Sequence, residues 1–361
     1  RNKGCGRMEP TILSANSQAA ATVAAFSSPV SNNVHFIGSA WVVSSAILTT
    51  YSTTSFLKYK KQHKIDSIMP SQKVVAMQEQ NSGKIDRPTL LTLWRFSGSF
   101  LLGLLFHPDF WNVTQRVQQT LSSVSNFAVP AGFLFLANYG NSVALDRIGI
   151  PLTYTSKCGI PLVTVLITFL LDGSQAMPSL PVLLSLIPIA AGIAAASWNS
   201  PTFDNIGFGA AIISCCAQAA LNVSSKRSMA RENITGTDAQ RTMVAIAFVI
   251  SAFTTLVQNI LTRKESKIAS IPQSTKEEEH PPAWLALFAV ASYHIEYCLS
   301  FMFVKLVEPI TYGTCDAIRR LSIIISGKKM FGGPKFSTTN VFGIGLAVAG
   351  ALMYSIANSM A

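Results

Sequence analysis

Pro309-Ile310-Thr311-Tyr312-Gly313-Thr314-Cys315-Asp316-Ala317-Ile318-Arg319-Arg320-Leu321-Ser322-Ile323-Ile324-Ile325 decides how this chain is read. It sets two adjacent arginines inside an otherwise apolar stretch that runs from Ile310 to Met330. A cation at the centre of a bilayer costs on the order of 2.5–3.5 kcal/mol on insertion scales. Two side by side need a local reason to stay: an anionic partner within the protein, a water-filled cavity, or an anionic substrate. Asp316 lies three and four residues before Arg319 and Arg320, on the same helical face, and could hold one of them as a structural ion pair.

The rest of the chain agrees with a lipid setting. Of its 361 residues, 49% are hydrophobic and only 12% charged, and the mean hydropathy is +0.36. Soluble domains carry roughly a quarter charged residues. The net charge of +11 does not argue for nucleic acid, because the basic residues fall in short tracts between apolar runs and form no single face. A helix needs about 20 residues to cross the hydrocarbon core. Ten runs qualify: 35–57, 88–106, 121–144, 150–171, 178–197, 205–226, 241–261, 283–304, 310–330 and 337–358. The expected fold is therefore an all-α membrane protein of ten transmembrane helices. Asn126, Asn138 and Asn141 interrupt the third run, so its helix should face the protein interior.

Two polar inserts, 58–87 and 262–282, read as solvated linkers. Residues 1–34 form a Ser-, Ala- and Asn-rich tail with Arg1, Lys3 and Arg7. Either an organellar transit remnant or a disordered polar tail has that composition, and the initial arginine suggests a fragment or processed form.

The halves match at one place. The fourth run opens with Pro151-Leu152-Thr153-Tyr154 and the ninth with Pro309-Ile310-Thr311-Tyr312. Basic residues follow each: Lys157 in one, Arg319 and Arg320 in the other. A transporter domain over 35–358 then divides into repeats of five helices, about 35–197 and 205–358. An odd number of crossings turns the second repeat upside down, which is the inverted-repeat plan of secondary transporters, with the site near the midplane.

Nothing in the chain asks for a catalytic residue, a metal or a cofactor. The six cysteines lack metal-ligand spacing and read as small buried hydrophobes. Gly343-Ile344-Gly345 lies in an apolar helix with no strand before it, which removes a dinucleotide reading.

The run Glu308-Pro309-Ile310-Thr311-Tyr312, with Arg319-Arg320 and Ser326 after it and Met353-Tyr354-Ser355 further on, resembles the triose-phosphate translocator family of the drug/metabolite transporter superfamily. Leu152-Thr153-Tyr154-Thr155-Ser156-Lys157 with Pro161, and Lys226-Arg227-Ser228-Met229, are similar to two further family blocks. The resemblance covers roughly 35–358 and implies the drug/metabolite transporter fold. It also implies antiport of a phosphorylated metabolite, a sugar phosphate in the first instance, against inorganic phosphate across a plastid envelope or another organelle membrane. A nucleotide-sugar antiporter of Golgi or ER and a non-transporting membrane scaffold stand as alternatives.

By the same resemblance Lys157 stands at the family's phosphate-binding lysine, and Arg319 and Arg320 at its Lys-Arg pair. Other positions depart: Asn138 and Asn141 replace a histidine and a threonine, Glu296 a tyrosine, and Leu221 an arginine. The residues themselves support an anion site. A phosphomonoester carries about −1.5 to −2 charges, and arginine forks with a lysine point charge can surround it. Glu296 could neutralise an arginine, carry a coupling proton or contact a substrate donor. Asn138 and Asn141 could bond substrate hydroxyls or one another. Lys157 alone could instead snorkel to the interface.

Overall fold

Polar backbone groups in hydrocarbon must be satisfied within the segment, so a chain built of 20-residue apolar runs has helices as its simplest solution. The computed structural model describes residues 29–59, 86–105, 113–173, 178–198, 200, 202–232, 234, 236–268, 281–307, 309–332 and 337–359, and every regular element among them is helical. Helix α1 (Pro29–Val43) passes through one π-helical turn (Ser44–Thr49) into α2 (Thr50–Lys58) without leaving helical backbone. Then come α3 (Arg87–Leu105), α4 (Val113–Arg147), α5 (Gly149–Lys157), α6 (Ile160–Asp172), α7 (Leu180–Ser197) and α8 (Asn205–Glu232). The chain continues with α9 (Gly236–Ile268), α10 (Ala283–Leu306), α11 (Pro309–Phe331) and α12 (Thr338–Ser359).

Three differences from the sequence expectation have physical causes. First, the run at 150–171 is two helices, because Pro161 lacks the N–H that would bond the carbonyl of Lys157 four residues earlier. Cys158 and Gly159 turn there instead, their N–H groups donating to Thr155 and Ser156 at 3.0 and 3.1 Å. Second, α4, α8 and α9 outrun their apolar stretches, with long basic side chains such as Lys226 and Arg227 able to reach polar surroundings from a helical end. Helix α9 thereby takes in 262–268, part of an expected linker. Third, α1 begins at Pro29, inside the expected tail, with proline at the first helical position. The expectations for 1–28, 60–85 and 269–280 lie outside the described residues.

Among the described residues, seven helical spans are long and apolar enough to cross a membrane: the α1–α2 rod, α5 with α6, α7, α8, α9, α10 and α12. Large apolar side chains such as Phe36, Leu170, Val249, Phe253 and Leu287 stand exposed on these helices. Water would penalise so wide an apolar surface, and lipid does not. The remaining long helices, α3, α4 and α11, carry several of the interior polar groups. Arg95, Asn138, Asn141 and Arg320 are all buried. The protein is an all-α membrane protein.

Two interfaces hold the interior. Phe96, Phe127, Leu134, Met243 and Tyr293 pack where α3, α4, α9 and α10 meet. Helices α7 and α12 meet through small residues, Gly192 and Ala196 against Gly343 and Ala347. Buried Asn340 donates to the carbonyls of Ala196 (3.1 Å) and Trp198 (2.8 Å), satisfying the end of α7. Asp204 caps α8 by accepting the Gly207 N–H at 2.8 Å.

Candidate functional site

On a helix, residues three and four apart share a face, and α11 uses this spacing to seat one carboxylate between two guanidinium groups. Arg319 donates to Asp316 Oδ1 from Nε (3.0 Å) and Nη2 (2.6 Å). Arg320 Nη2 donates to the other oxygen, Oδ2. The remaining Arg319 nitrogen, Nη1, donates to Glu296 Oε1 of α10 at 2.9 Å. The guanidinium of Arg319 also lies 5.0 Å from the centre of the Trp41 ring, which stacks in turn on Tyr312 at 5.0 Å. Arg319 is thus fully engaged by two carboxylates and an aromatic face.

Arg320 reaches the other half of the chain. Its Nη1 donates to the backbone carbonyl of Lys157, the acceptor that Pro161 leaves without its helical partner. One proline therefore does two things: it ends α5 and frees the carbonyl that ties α5 to α11. The Lys157 ammonium stays apart from this contact, 5.9 Å from the Tyr154 ring centre, and meets no carboxylate among the described residues.

These groups border one cavity of about 400 Å3. Lys157, Arg319, Arg320, Asn138, Asn141 and Glu296 all line it, so every site residue singled out from sequence is brought to one place. Their states differ. The Asn138 amide donates to Tyr297 Oη at 3.1 Å and to its own helix at Leu134 O, 2.9 Å, and not to Asn141. Asn141 Oδ1 is buried with no partner among the described residues. Glu296 is the counter-ion of Arg319. Leu221 lines the wall as an apolar group.

Sequence reasoning missed Arg95. It lines the same cavity from α3 at 3% exposure, donates through Nη2 to Thr53 Oγ1 and lies 5.2 Å from the Tyr293 ring centre. Its signal was available, a lone arginine inside the run 88–106. Lys226 also reaches the lining. Four of the lining cations (Arg95, Lys157, Arg319, Arg320) face two carboxylates (Asp316, Glu296), an excess of two positive charges, while Lys226 is exposed at its end of α8. Between low-dielectric protein walls such an excess favours an anion.

The model of the Triose-phosphate Transporter family matches residues 84–355. Phosphoenolpyruvate/phosphate translocator 1, chloroplastic, of Oryza sativa subsp. japonica is 28% identical over 225 residues, which cover 61% of this chain and 53% of that protein. The non-green-plastid triose phosphate/phosphate translocator of Brassica oleracea var. botrytis is 26% identical, with 74% and 65% covered. Glucose-6-phosphate/phosphate translocator 2, chloroplastic, of Arabidopsis thaliana is 26% identical, with 59% and 54% covered. The matches span about half to two thirds of the length of these relatives. Since the family match runs from the start of α3 through most of α12 and takes in every charged residue of the cavity, the chain belongs to the triose-phosphate transporter family.

Proposed function

We propose that the protein is an antiporter that exchanges a phosphorylated small metabolite, a sugar phosphate in the first instance, for inorganic phosphate by alternating access. The observation that carries this is the cavity whose cations come from separate segments, Lys157 on α5 and Arg319 and Arg320 on α11, with charge in excess of the carboxylates. A phosphate dianion entering there finds the free Lys157 ammonium and can compete with Asp316 and Glu296 for arginine N–H groups. Without the anion the excess charge stays uncompensated, which favours a carrier that crosses loaded and so exchanges one anion for another. The relatives' names place them in chloroplasts, and a plastid envelope is the membrane proposed here.

The proposal includes ten membrane spans in two inverted repeats, about 35–197 and 205–358. The packing partners favour it. Numbering the apolar runs one to ten, the fifth packs on the tenth (α7 on α12), the second on the seventh (α3 on α9) and the fourth on the ninth (α5 on α11). The third packs on the sixth (α4 on α8), as the eighth packs on the first (α10 on the α1–α2 rod). Exchanging each run with the one five places away maps this set of pairs onto itself.

The scaffold alternative asks for Arg319 paired with Asp316 or Glu296 and for no cavity. The pairing is present, and so is a cavity of about 400 Å3. Purified protein in liposomes decides the matter. Uptake of labelled phosphate into phosphate-loaded vesicles should exceed uptake into empty ones about tenfold or more. Equal uptake overturns exchange, and uptake restricted to nucleotide sugars overturns the substrate class.

Asp316 supplies a second check. Removing a charge that touches both arginines strengthens the local field on an anion by on the order of 1–3 kcal/mol at an effective dielectric near 20. Asp316→Asn should therefore bind phosphate about tenfold more tightly, read by titration of the purified carrier, and release it more slowly during exchange. Weaker phosphate binding by this variant would mean that Asp316 holds the arginines in a binding posture.

A further inference from the structure

Beside the cations, much of the cavity wall is aromatic. Tyr154, Tyr297, Phe301 and Tyr312 line it and are all partly exposed, so each keeps ring surface for whatever enters. Tyr297 and Phe301 stand four residues apart on one face of α10, with ring centres 6.4 Å apart. They belong to one apolar cluster with Leu221 and Met229 of α8, which line the cavity as well. Leu221 stands where the family resemblance expects an arginine, so α8 offers methyl groups there in place of donors.

The neutral polar groups of the wall are largely spent on one another. Tyr297 Oη is shared with the Asn138 amide at 3.1 and 3.4 Å, and Tyr312 Oη pairs with Ser300 Oγ at 3.2 Å. Gln218 donates to Asn222 Oδ1 at 3.3 Å. A polyol entering this space must break such pairs or bury hydroxyls unmatched, and each unmatched group is costly. A flat ring needs only surface to stack on.

Position connects the rings to the anion site. The Trp41 ring lies 5.0 Å from the Arg319 guanidinium and stacks on Tyr312 at 5.0 Å and 15°. Tyr312 and Arg319, seven residues apart, share a face of α11 roughly 10 Å apart along its axis. The Ser300–Tyr312 contact brings the aromatic stripe of α10 alongside. A phosphate on the arginine pair therefore leaves the rest of a small phosphomonoester among these rings.

We propose that the cavity takes a phosphomonoester whose far end is a flat aromatic ring, stacked against Tyr297, Phe301 and Tyr312, in preference to one that ends in a polyol. This rests on the phosphate-exchange reading and specifies the metabolite's body, an aromatic ring in place of the hydroxyls of a plain sugar phosphate.

Benzyl phosphate and glucose 6-phosphate form the matched pair, each a phosphorylated methylene on a six-membered ring. Liposomes holding purified carrier are loaded with one or the other below saturation and given labelled phosphate outside. Initial uptake should be at least about tenfold faster against benzyl phosphate. Cyclohexylmethyl phosphate keeps the bulk without the flat face and should fall at least about threefold below benzyl phosphate. Phe301→Leu keeps apolar volume and should bring the benzyl-to-glucose ratio to about threefold or less, while Phe301→Tyr keeps the ring and the ratio. The ratios do not depend on how much folded carrier each preparation contains, and the comparison of probes needs no variant. Phosphate-loaded liposomes are run alongside, and absence of exchange there means that the phosphate reading itself fails. With that exchange present, the aromatic assignment alone is overturned by a benzyl phosphate rate no higher than that of glucose 6-phosphate. Equal rates for benzyl and cyclohexylmethyl phosphate, or a ratio unmoved by Phe301→Leu, overturn it too.

Discussion

Lys157→Gln is expected to lower phosphate exchange about a hundredfold in proteoliposomes while the helical bundle remains intact. The two halves of that statement rest on different atoms. The contact between α5 and α11 uses the backbone carbonyl of Lys157, which receives Arg320 Nη1 and is unaltered by a change of side chain. The ammonium meets only the face of Tyr154, so its loss leaves no buried carboxylate stranded among the described residues. For a phosphate the loss is large. Hydrogen bonds to charged groups contribute roughly 1.5–3 kcal/mol each, an ammonium offers three donors, and each 1.4 kcal/mol is about a factor of ten. Lys157→Arg keeps the charge with a longer, planar head and should retain about a tenth of the activity. Arg319 is a poorer test, because removing it leaves Asp316 and Glu296 facing each other without their shared cation. Exchange by Lys157→Gln at more than about a tenth of the normal rate would show that the anion is held elsewhere.

What could be read from residues alone divides along a physical line. Apolar runs of membrane length report helices directly, because the bilayer leaves the backbone few choices. The cation pair at Arg319 and Arg320 was legible because charge inside such a run demands a cause. So was the Asp316 bond, which needs only helical spacing. The ion pair from Arg319 to Glu296 joins residues 23 apart on different helices and follows from how α10 and α11 pack, which no local pattern encodes. Arg95 shows the same limit. The arginine is visible in its run, but whether it meets lipid headgroups, a counter-ion or a cavity depends on the rotation of α3 against α10.

The break between α5 and α6 was legible in principle and was missed because hydropathy averages over it. Pro161 sits four residues after Lys157, so one helical bond cannot form there whatever the surroundings. In the ninth run Pro309 matches Pro151 and begins α11, and the position that matches Pro161 is Arg319, so nothing breaks the helix there. Similar tetrapeptides at 151–154 and 309–312 thus head helices of different length, and the asymmetry comes from a residue ten positions beyond the repeat's opening. That places the Lys157 side chain in the last turn of a short helix at the cavity, and the arginines in the middle of a long one.

The second large effect concerns the interface of α7 and α12. A Cβ added at Gly343 would sit 2.3 Å from Ala196 N and 2.8 Å from Gly192 O, and one added at Gly192 would sit 2.3 Å from Ala347 N. Those are backbone atoms of facing helices, so no rotamer change relieves the clash and the helices must separate. In lipid there is little hydrophobic drive between helices, and close packing of small residues supplies much of the association. Separation would also stretch the bonds from Asn340 to the carbonyls of Ala196 and Trp198. Gly343→Ala should therefore destabilise the purified protein by about 3 kcal/mol or more, and Gly343→Leu should prevent accumulation of folded protein in the membrane. Gly345, two residues further along α12, has no heavy atom of a neighbour within 4 Å of the added Cβ. There the same substitution only restricts the unfolded backbone and should stabilise by roughly 0.5–1 kcal/mol. Thermal unfolding in detergent compares the two alanine variants directly. Opposite signs at positions two residues apart follow from an interface on one face of α12, and equal effects would place the contact of α7 and α12 elsewhere.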